Sequence, residues 1–431
     1  MVGGNISRYG MDPYGTHGLT LHSLLERIPN PCQSEFKGRG LSMFKKFVTA
    51  VIGLLVLAAA AFFIFAPKIV EKGRNNVVAH DPYPVSPEAA ELHANLIVGD
   101  WHADSLLWNR DLTKRGDYGQ VDLPRLTEGN VAVQVFTAVT KSPAGLNYDE
   151  NSDDAFDNIT LLAIGQLWPV RTWNSLLERA VYQSEKLHRF EHRAPDALRI
   201  VTDEAGLDAV LTERAAGSDV TAGILGIEGA HPLEGNIDNM DVLWNAGYRL
   251  IGLQHFFDNE LGGSLHGLDN NGLTDFGRAV VARAATEGWI IDIAHSSEQV
   301  ARDVLEMTDV PIIVSHGGVH GHCPVKRNFP DDLMRDIAAT GGVIGMGYWA
   351  DVVCEHPSPD AIAKMITTAI AEVGEDHVSL GSDFDGSVET AFDTSELPAL
   401  THALINAGLT DDQIAKVMGG NMIRVLRARL N

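Results

Sequence analysis

Eight short apolar segments constrain the fold of this chain more than any other feature of its sequence. Each is followed by a polar or glycine-rich turn and, in most cases, by a helical pattern. The segments are apolar on both faces, which is typical of parallel strands that are covered by helices. We therefore predict an α/β protein whose strands form a (β/α)₈ TIM-type barrel, with an open doubly wound sheet as the structural alternative. The predicted strands are 96–100, 131–138, 223–227, 249–254, 289–293, 311–315, 343–346 and 377–381.

The intervals between the predicted strands carry amphipathic helical patterns. The longest interval separates the second and third strands and contains an extended helical region, residues 153–192, that is bent or broken near Pro169. We interpret this region as a helical insertion over the barrel rather than as a second domain. The other predicted helices are 275–287, 297–307, 359–373 and 411–430.

One segment, residues 47–66, does not fit a globular domain. It is twenty residues long and carries no charge, and a helix of about 20 residues spans the roughly 30 Å hydrocarbon core of a bilayer. Lys45 and Lys46 precede it, which favours a cytoplasmic N-terminus and a globular part on the extracytoplasmic (periplasmic or extracellular) side. A cleaved signal peptide is the alternative, although Pro67 directly after the apolar run makes a poor cleavage site.

This apolar segment divides the chain into four parts. We predict a disordered tail over residues 1–43, a single-pass transmembrane anchor over 44–67, a linker over 68–82 and the barrel over 83–431. Met43 is an alternative start of the chain. The N-terminal helix is therefore the expected attachment to the membrane.

Charge and cysteine content narrow the function classes. The net charge of −24 at pH 7 comes from the part of the chain after residue 80. An acidic body of this kind repels nucleic acid, so no nucleic-acid partner is expected. Three cysteines are too few for a disulfide framework, and no CxxC pair is present for a structural zinc. A bridge between Cys323 and Cys354 and two free thiols are both compatible with the sequence.

Ionisable residues stand at the ends of six of the eight predicted strands. In a barrel, the carboxyl ends of the strands meet at one face, where the active sites of such proteins lie. The sequence therefore predicts one functional site built from these residues. They are Asp100, His102 and Asp104 at the first strand, Glu228 at the third, His255 at the fourth, His295 at the fifth, His316 at the sixth, and Asp383 and Asp385 at the eighth.

Five of these residues suit a metal site. His102 and Asp104 lie two residues apart and share one face of an extended chain, and imidazole with carboxylate suits zinc and similar divalent ions. His295 and His316 follow neighbouring strands and would present two imidazoles side by side. Glu228 follows a buried apolar strand, where a carboxylate has to be paired or metal-bound. Structural hydrogen bonds or salt bridges are the alternative interpretation for each of them.

Three further residues suit substrate chemistry. Asp383 is the candidate general acid and base, or alternatively a turn or helix N-cap residue. His255 is a candidate for a further metal ligand or for a substrate contact. Arg327 lies on the loop after the sixth strand and can hold a substrate carboxylate through two parallel hydrogen bonds. A surface ion pair with Asp331 or Asp332 is the alternative for this arginine.

These residues lie in motifs that resemble the membrane dipeptidase family, also called renal dipeptidases (peptidase family M19), within the amidohydrolase superfamily. The resemblance covers roughly residues 83–431, and the order and spacing of the motifs fit throughout. The first motif departs from the family at Trp101 and Ala103, where members often carry glycine and asparagine. The motifs are DWHAD, GIEGAHP, LIGLQHF, GLTDFG, IDIAHSS, SHGGVHGHCPVKRNFPDD and LGSDFDG.

The resemblance implies a zinc-dependent membrane dipeptidase with two Zn²⁺ ions per chain. It implies that His102 and Asp104 hold one ion and that His295 and His316 hold the other. Glu228 and a water or hydroxide would bridge the two ions. Members of the family often form homodimers, so the resemblance also implies a homodimer.

The resemblance also implies roles for the remaining residues. The bridging hydroxide would attack the peptide bond of a dipeptide, with Asp383 as general acid and base. His255 would steady the oxyanion, and Arg327 would bind the C-terminal carboxylate. Two other functions stay open at this point: another hydrolase of the superfamily that acts on N-acyl amino acids, lactones or phosphoesters, and a non-catalytic metal- or ligand-binding barrel.

Overall fold

The computed structural model describes residues 33–430, and their side chains from residue 42 onwards. The chain divides into two compact units, residues 1–60 and residues 61–431. A long helix, α1 (Gln33–Arg74), supplies the described part of the first unit and contributes its last turns to the second. Within it, Ser42–Arg74 is the one described helix that is long and apolar enough to cross a membrane.

The structure agrees only in part with the predictions for the N-terminal region. Of the tail predicted to be disordered, residues 1–32 lie outside the described residues, while residues 33–43 are helical. The helix also continues through residues 68–74, which the sequence pattern assigned to a linker. This continuation brings the end of the helix into the same unit as the barrel.

A parallel sheet of eight strands forms a nearly closed barrel in the second unit. The strands follow one another around the barrel in the order β1-β2-β4-β5-β6-β7-β8-β9, and β3 pairs only with β4. Ala103, at the end of β1, forms a parallel bridge with Phe384 in the segment that follows β9, and the first and last strands are in contact. The strands are β1 (Val98–Ala103), β2 (Val131–Val139), β3 (Leu198–Ile200), β4 (Thr221–Glu228), β5 (Tyr248–Gly252), β6 (Ile290–Asp292), β7 (Ile312–Gly317), β8 (Val343–Met346) and β9 (Val378–Leu380).

The predicted TIM-type barrel is confirmed, and an open doubly wound sheet is excluded. All eight predicted strands form, and each is buried along its length. Capping residues mark the starts of several of the helices that lie between the strands. Thr274, Ser297 and Ser358 accept hydrogen bonds from backbone N–H groups in the first turns of three of these helices.

The helices after α1 alternate with the strands along the chain. They are α2 (Pro87–Ala94), α3 (Leu123–Glu128), α4 (Asn158–Gly165), α5 (Leu176–Arg193), α6 (Glu204–Ala215), α7 (Asn239–Asn245), α8 (Asp275–Glu287), α9 (Glu298–Met307), α10 (Asp331–Ala339), α11 (Ala350–Val353), α12 (Pro359–Val373), α13 (Leu397–Asn406), α14 (Asp411–Ala415) and α15 (Asn421–Arg429). Helices α4 and α5 form the insertion between β2 and β3, and the chain turns between them at Val170–Trp173, directly after Pro169.

The prediction of one continuous helix over residues 411–430 is wrong. A wider turn, Lys416–Gly420, separates α14 from α15, and Gly419 has a non-helical backbone there. A Cβ atom on Gly419 would lie 2.1 Å from the carbonyl oxygen of Ile97. The helix breaks because the backbone at this glycine packs directly against the chain that enters β1.

Candidate metal centre and active site

The five predicted metal ligands converge at the carboxyl end of the barrel. Oε1 of Glu228 lies 3.4 Å from Nε2 of His102, 3.3 Å from Nε2 of His295 and 3.5 Å from Nε2 of His316. Nε2 of His102 also lies 3.5 Å from Oδ1 of Asp104. All five side chains are buried. The topology brings them together because each follows or ends a strand of the same barrel.

The donor atoms of this cluster fit divalent metal ions. Three sets of side chains place one donor atom each within 4.8 Å of the others. Nε2 of His102 and Oε2 of Glu228 are buried and have no hydrogen-bond partner, which is costly unless a further ligand is bound. Imidazole nitrogen and carboxylate oxygen are ligands that zinc prefers. The three sets are His102, Glu228 and His316; Glu228, His255 and His295; and His102, Asp104 and Asp383.

The charge states of His295, His316 and Glu228 suit metal binding. Burial lowers the pKa of His295 and of His316 well below the usual value, and the positive charge of Arg327 adds to the fall. Both rings therefore stay neutral and keep a lone pair. Burial alone would raise the pKa of Glu228, but His255 and His102 outweigh it and hold that pKa well below its usual range. Glu228 is thus an anion at the centre of the cluster.

Hydroxyl groups orient the ligands. Oγ of Ser315 lies 3.2 Å from Nδ1 of His102 and 2.9 Å from Nδ1 of His316, which leaves both Nε2 atoms turned towards Glu228. Oγ1 of Thr137 donates a hydrogen bond to Asp104. Such contacts behind metal ligands fix the orientation of the rings and carboxylates. The sequence analysis missed both residues, although Ser315 directly precedes His316.

Asp100 precedes His102 and Asp104 on the first strand, lies deeper in the barrel, and holds the segments that carry the site. Its carboxylate accepts hydrogen bonds from the backbone N–H groups of His102, at 3.1 Å, and of Ser382, at 2.9 Å. Asp100 thereby joins the end of β1 to the chain that leaves β9. It belongs to none of the three donor sets.

Asp383 lies beside the cluster in a form suited to proton transfer. Its Oδ1 is 3.9 Å from Nε2 of His102. Burial raises the pKa of Asp383 well above its usual range, and the charges of Glu228 and Asp104 add to the rise. Its backbone has a φ of 59°, a left-handed conformation that non-glycine residues rarely adopt and that is often found at functional sites.

Asp385 does not share the face of Asp383. The sequence analysis placed both residues at the end of the eighth strand, but β9 ends at Leu380, before either of them. The carboxylate of Asp385 instead accepts hydrogen bonds from Arg110, from the hydroxyl of Ser105 at 2.6 Å and from the backbone N–H of Gln120 at 2.8 Å. Asp385 anchors the loop that carries Asp383.

His255 and Arg327 flank the cluster. Nε2 of His255 lies 3.3 Å from Oε2 of Glu228. The guanidinium of Arg327 is buried, lies 3.4 Å from Nε2 of His295 and donates to the carbonyl oxygen of His316 at 2.7 Å. Its Nε has no hydrogen-bond partner. The surface ion pair considered for Arg327 does not form: Arg327 is buried, Asp332 pairs with Arg302, and Asp331 accepts a hydrogen bond from the backbone N–H of Gly321.

A disulfide bond between Cys323 and Cys354 secures the loop that carries Arg327. Cys323 lies on that loop between β7 and α10, and Cys354 directly follows α11. The bond decides between the two states that the sequence left open. It ties the segments after β7 and β8 together beside the site.

The fold and the site together define a class of protein. Asp104, Glu228, His255, His295 and Asp383 line one cavity of about 570 Å³ at the carboxyl end of the barrel. Buried nitrogen and oxygen donors lie next to a carboxyl group that can hold a proton, which is the arrangement of a metal-dependent hydrolase.

Comparison with known proteins gives the family. Residues 87–430 match the membrane dipeptidase family, peptidase family M19. The chain belongs to this family, which places it among the metal-dependent dipeptidases and confirms the resemblance seen in its motifs.

Two curated relatives are fungal proteins. The dipeptidase aclJ of Aspergillus oryzae is 28% identical over 356 residues, which is 76% of this chain and 76% of that protein. The dipeptidase tcpJ of Claviceps purpurea is 26% identical over 317 residues, which is 72% of this chain and 69% of that protein.

Solved structures share the fold at lower sequence identity. The probable dipeptidase PvdM of Pseudomonas aeruginosa has a TM-score of 0.65 and is 19% identical, over 80% of this chain and 98% of that one. A metallopeptidase of Rhodobacter sphaeroides, bound to a phosphinate mimic of the dipeptide L-Ala-D-Ala, has a TM-score of 0.63. It is 23% identical, over 78% of this chain and 99% of that one.

Proposed function

We propose that this protein is a binuclear zinc metallopeptidase that hydrolyses dipeptides at the outer face of a membrane. One observation carries the proposal: five buried side chains from four strand ends, with Glu228 at their centre, converge beside Asp383. His102 and Asp104 would hold one ion, His295 and His316 the other, and Glu228 would bridge them.

Two bound ions would lower the pKa of the attacking water molecule and polarise the carbonyl group of the peptide bond. Side chains of the protein transfer the proton and stabilise the negative charge that develops. Asp383 takes a proton from the attacking water and donates it to the leaving amine, a role that suits a carboxyl group whose pKa burial has raised. His255 lies on the other side of Glu228 and donates a hydrogen bond to the carbonyl oxygen as negative charge develops on it.

Arg327 limits the substrate to two residues. Its buried guanidinium has an Nε without a partner and lies beside His295, so a carboxylate one residue beyond the scissile bond can pair with it. A tripeptide has no carboxylate at that position. The dipeptide mimic bound to the Rhodobacter sphaeroides metallopeptidase is consistent with this size limit.

Three features of the chain support this location. The part of the candidate membrane span in α1 that precedes residue 61 would anchor the protein by a single pass. Disulfides persist in oxidising compartments, so the Cys323–Cys354 bond favours an extracytoplasmic barrel. The lysines before the span favour the same orientation.

The test uses the full chain in detergent, with metal analysis and peptide hydrolysis on the same sample. We expect about two zinc ions per chain, cleavage of dipeptides but not of tripeptides, and loss of cleavage on chelation with recovery on added zinc. Asp383→Asn should keep its zinc and lose at least about a hundredfold in kcat, the lower end of general acid–base effects. Asp360→Asn, an exposed carboxylate on α12, is the control and should keep full activity.

Three results would redirect the proposal. Zinc binding without cleavage of any dipeptide would favour another carboxylate-bearing substrate, such as an N-acyl amino acid. Full activity in Asp383→Asn would remove this residue from the mechanism. Cleavage of tripeptides at a similar rate would contradict the role of Arg327.

A further inference from the structure

The cavity that opens onto the candidate metal centre is larger and more apolar than hydrolysis of a peptide bond requires. It extends from Asp104, Glu228 and Asp383 to the last turns of α1. Its volume of about 570 Å³ falls within the range of roughly 300–1,000 Å³ that holds drug-sized ligands. Most of the additional wall is apolar, with Leu107 and Trp108 after β1 and further side chains on α4.

One face of α1 forms part of this wall. Phe62, Ala66 and Val70 line the cavity and lie four residues apart, which places them on the same side of a helix. Ile159 and Leu162 of α4 also line the cavity. These residues of α1 belong to the same compact unit as the barrel.

Buried contacts fix this end of α1 to the loop that carries Asp383. Glu71 is buried and forms an ion pair with Arg110, which in turn pairs with Asp385. After the helix, Oδ1 of Asn75 accepts a hydrogen bond from the backbone N–H of Ser387 at 2.9 Å. The wall is therefore a built part of the active site, since it is held by the same loop as the candidate acid.

The order of the strands around the barrel shows which residue of a bound dipeptide contacts this wall. The apolar side chains come from α1 and from the segments after β1 and β2, whereas Arg327 follows β7. In the order β1-β2-β4-β5-β6-β7-β8-β9, strands β2 and β7 lie on opposite sides of the barrel. A dipeptide whose carboxylate is held at Arg327 therefore directs its N-terminal residue towards α1.

We propose that the end of helix α1 forms a specificity pocket that selects dipeptides with a large apolar N-terminal side chain. This inference rests on the proposed dipeptidase function. Transfer of a larger apolar side chain from water to the wall stabilises the bound substrate roughly in proportion to the area buried. One methylene group in such a pocket is worth about 10- to 200-fold in kcat/KM, so an isobutyl group should give at least a tenfold preference over glycine.

The experiment measures kcat/KM of the zinc-loaded full chain for leucyl-alanine and glycyl-alanine. These substrates share the C-terminal residue, so their ratio reports on the N-terminal pocket alone and does not depend on the active fraction of the sample. The ratio should exceed ten in the wild type and fall at least fivefold in Val70→Asn. Ile69→Asn is the matched control, because Ile69 and Val70 are exposed neighbours on the same turn but only Val70 lines the cavity. Its ratio should equal that of the wild type.

A second variant and a second measurement guard against misfolding. Ala66→Phe fills the cavity from the same face and should also lower the ratio. Calorimetric titration of the Asp383→Asn protein should show tighter binding of leucyl-alanine than of glycyl-alanine, and Val70→Asn should reduce that difference. Equal ratios in Val70→Asn and Ile69→Asn would overturn this inference while leaving the dipeptidase intact. No cleavage of either dipeptide by the wild type would overturn the proposed function, and this inference with it.

Discussion

Lys186 is a buried cation that supports the turn on which Trp108 lies. It is placed on α5, and its ammonium donates to the carbonyl oxygens of Leu106, at 2.7 Å, and of Trp108. Burial lowers the pKa of Lys186 to about 7, although the charge of Glu71 opposes the fall. A lysine in this setting changes its charge near neutral pH.

This lowered pKa predicts a pH-dependent stability. The unfolded chain keeps the proton of Lys186 up to about pH 10.4, so from about pH 7 to pH 10 the unfolded state binds more protons than the folded state. The stability contributed by this site therefore rises with pH over that window, by at most ~1.4 kcal/mol per pH unit. Urea titrations should show the free energy of unfolding of the wild type rising between pH 7 and 9 relative to Lys186→Met. A constant difference would show that the lysine titrates above this range.

The convergence of the candidate metal ligands was predictable because each stands at a strand end. An ionisable residue such as Glu228 after an apolar run is unusual, and barrel topology brings all such residues to one face. The hydroxyl groups that orient them were not predictable. Thr137 reaches Asp104 through the pairing of β2 with β1, and that register depends on contacts far apart in the sequence.

At the level of elements, the disulfide between Cys323 and Cys354 joins the segments that follow β7 and β8. It closes a loop with a sequence separation of 31 residues. On the chain-entropy account, a bond across a loop of this length stabilises a fold by about 3–4 kcal/mol. Because Arg327 lies inside this loop, the bond also restricts where its guanidinium can be.

Replacing Cys323 and Cys354 together by serine should therefore have two effects. The free energy of unfolding should fall by about 3–4 kcal/mol in urea titrations, and KM for a dipeptide should rise more than kcat falls. Cys32→Ser is the control for loss of a cysteine outside this bond. If KM were unchanged while stability fell, the bond would support the fold without positioning Arg327.

The elements differed in how well their sequences predicted them. The eight barrel strands were clear because their segments are buried along their length, whereas β3 is fully buried only at Leu198 and contains Arg199. The helices α8 and α12 have the predicted bounds because capping residues mark their starts. The break at Gly419 depends on packing against Ile97, which the local pattern does not show.

At the scale of the whole molecule, the sequence analysis found the barrel and the candidate membrane span but not how closely the end of α1 joins the active site. Lys68, Glu71, Lys72 and Arg74 make residues 68–82 look like a polar linker. Glu71 is nevertheless buried against Arg110. A single acidic residue in a basic stretch gives no sign of its partner, because Arg110 lies on a loop 39 residues away.

This contact predicts different outcomes for two shortened chains. A chain that begins at residue 61 keeps Glu71 and the apolar wall, and it should have the thermal stability and activity of the full protein. A chain that begins at residue 79 leaves Arg110 without one of its two carboxylates. Breaking a buried ion pair by removal of one partner costs about 3–5 kcal/mol, so its melting temperature should be clearly lower.

The activity of the shorter chain should fall as well, since Arg110 also holds Asp385, two residues after Asp383. The variant Glu71→Gln, made in the chain that begins at residue 61, separates the effect of the ion pair from the effect of the apolar wall. It removes the ion pair and keeps Phe62, Ala66 and Val70, so it should lose stability while retaining its preference for leucyl-alanine over glycyl-alanine. Equal melting temperatures for the two shortened chains would mean that α1 only tethers the barrel. A lower melting temperature for the chain that begins at residue 79 would show that the end of α1 is a structural part of the enzyme.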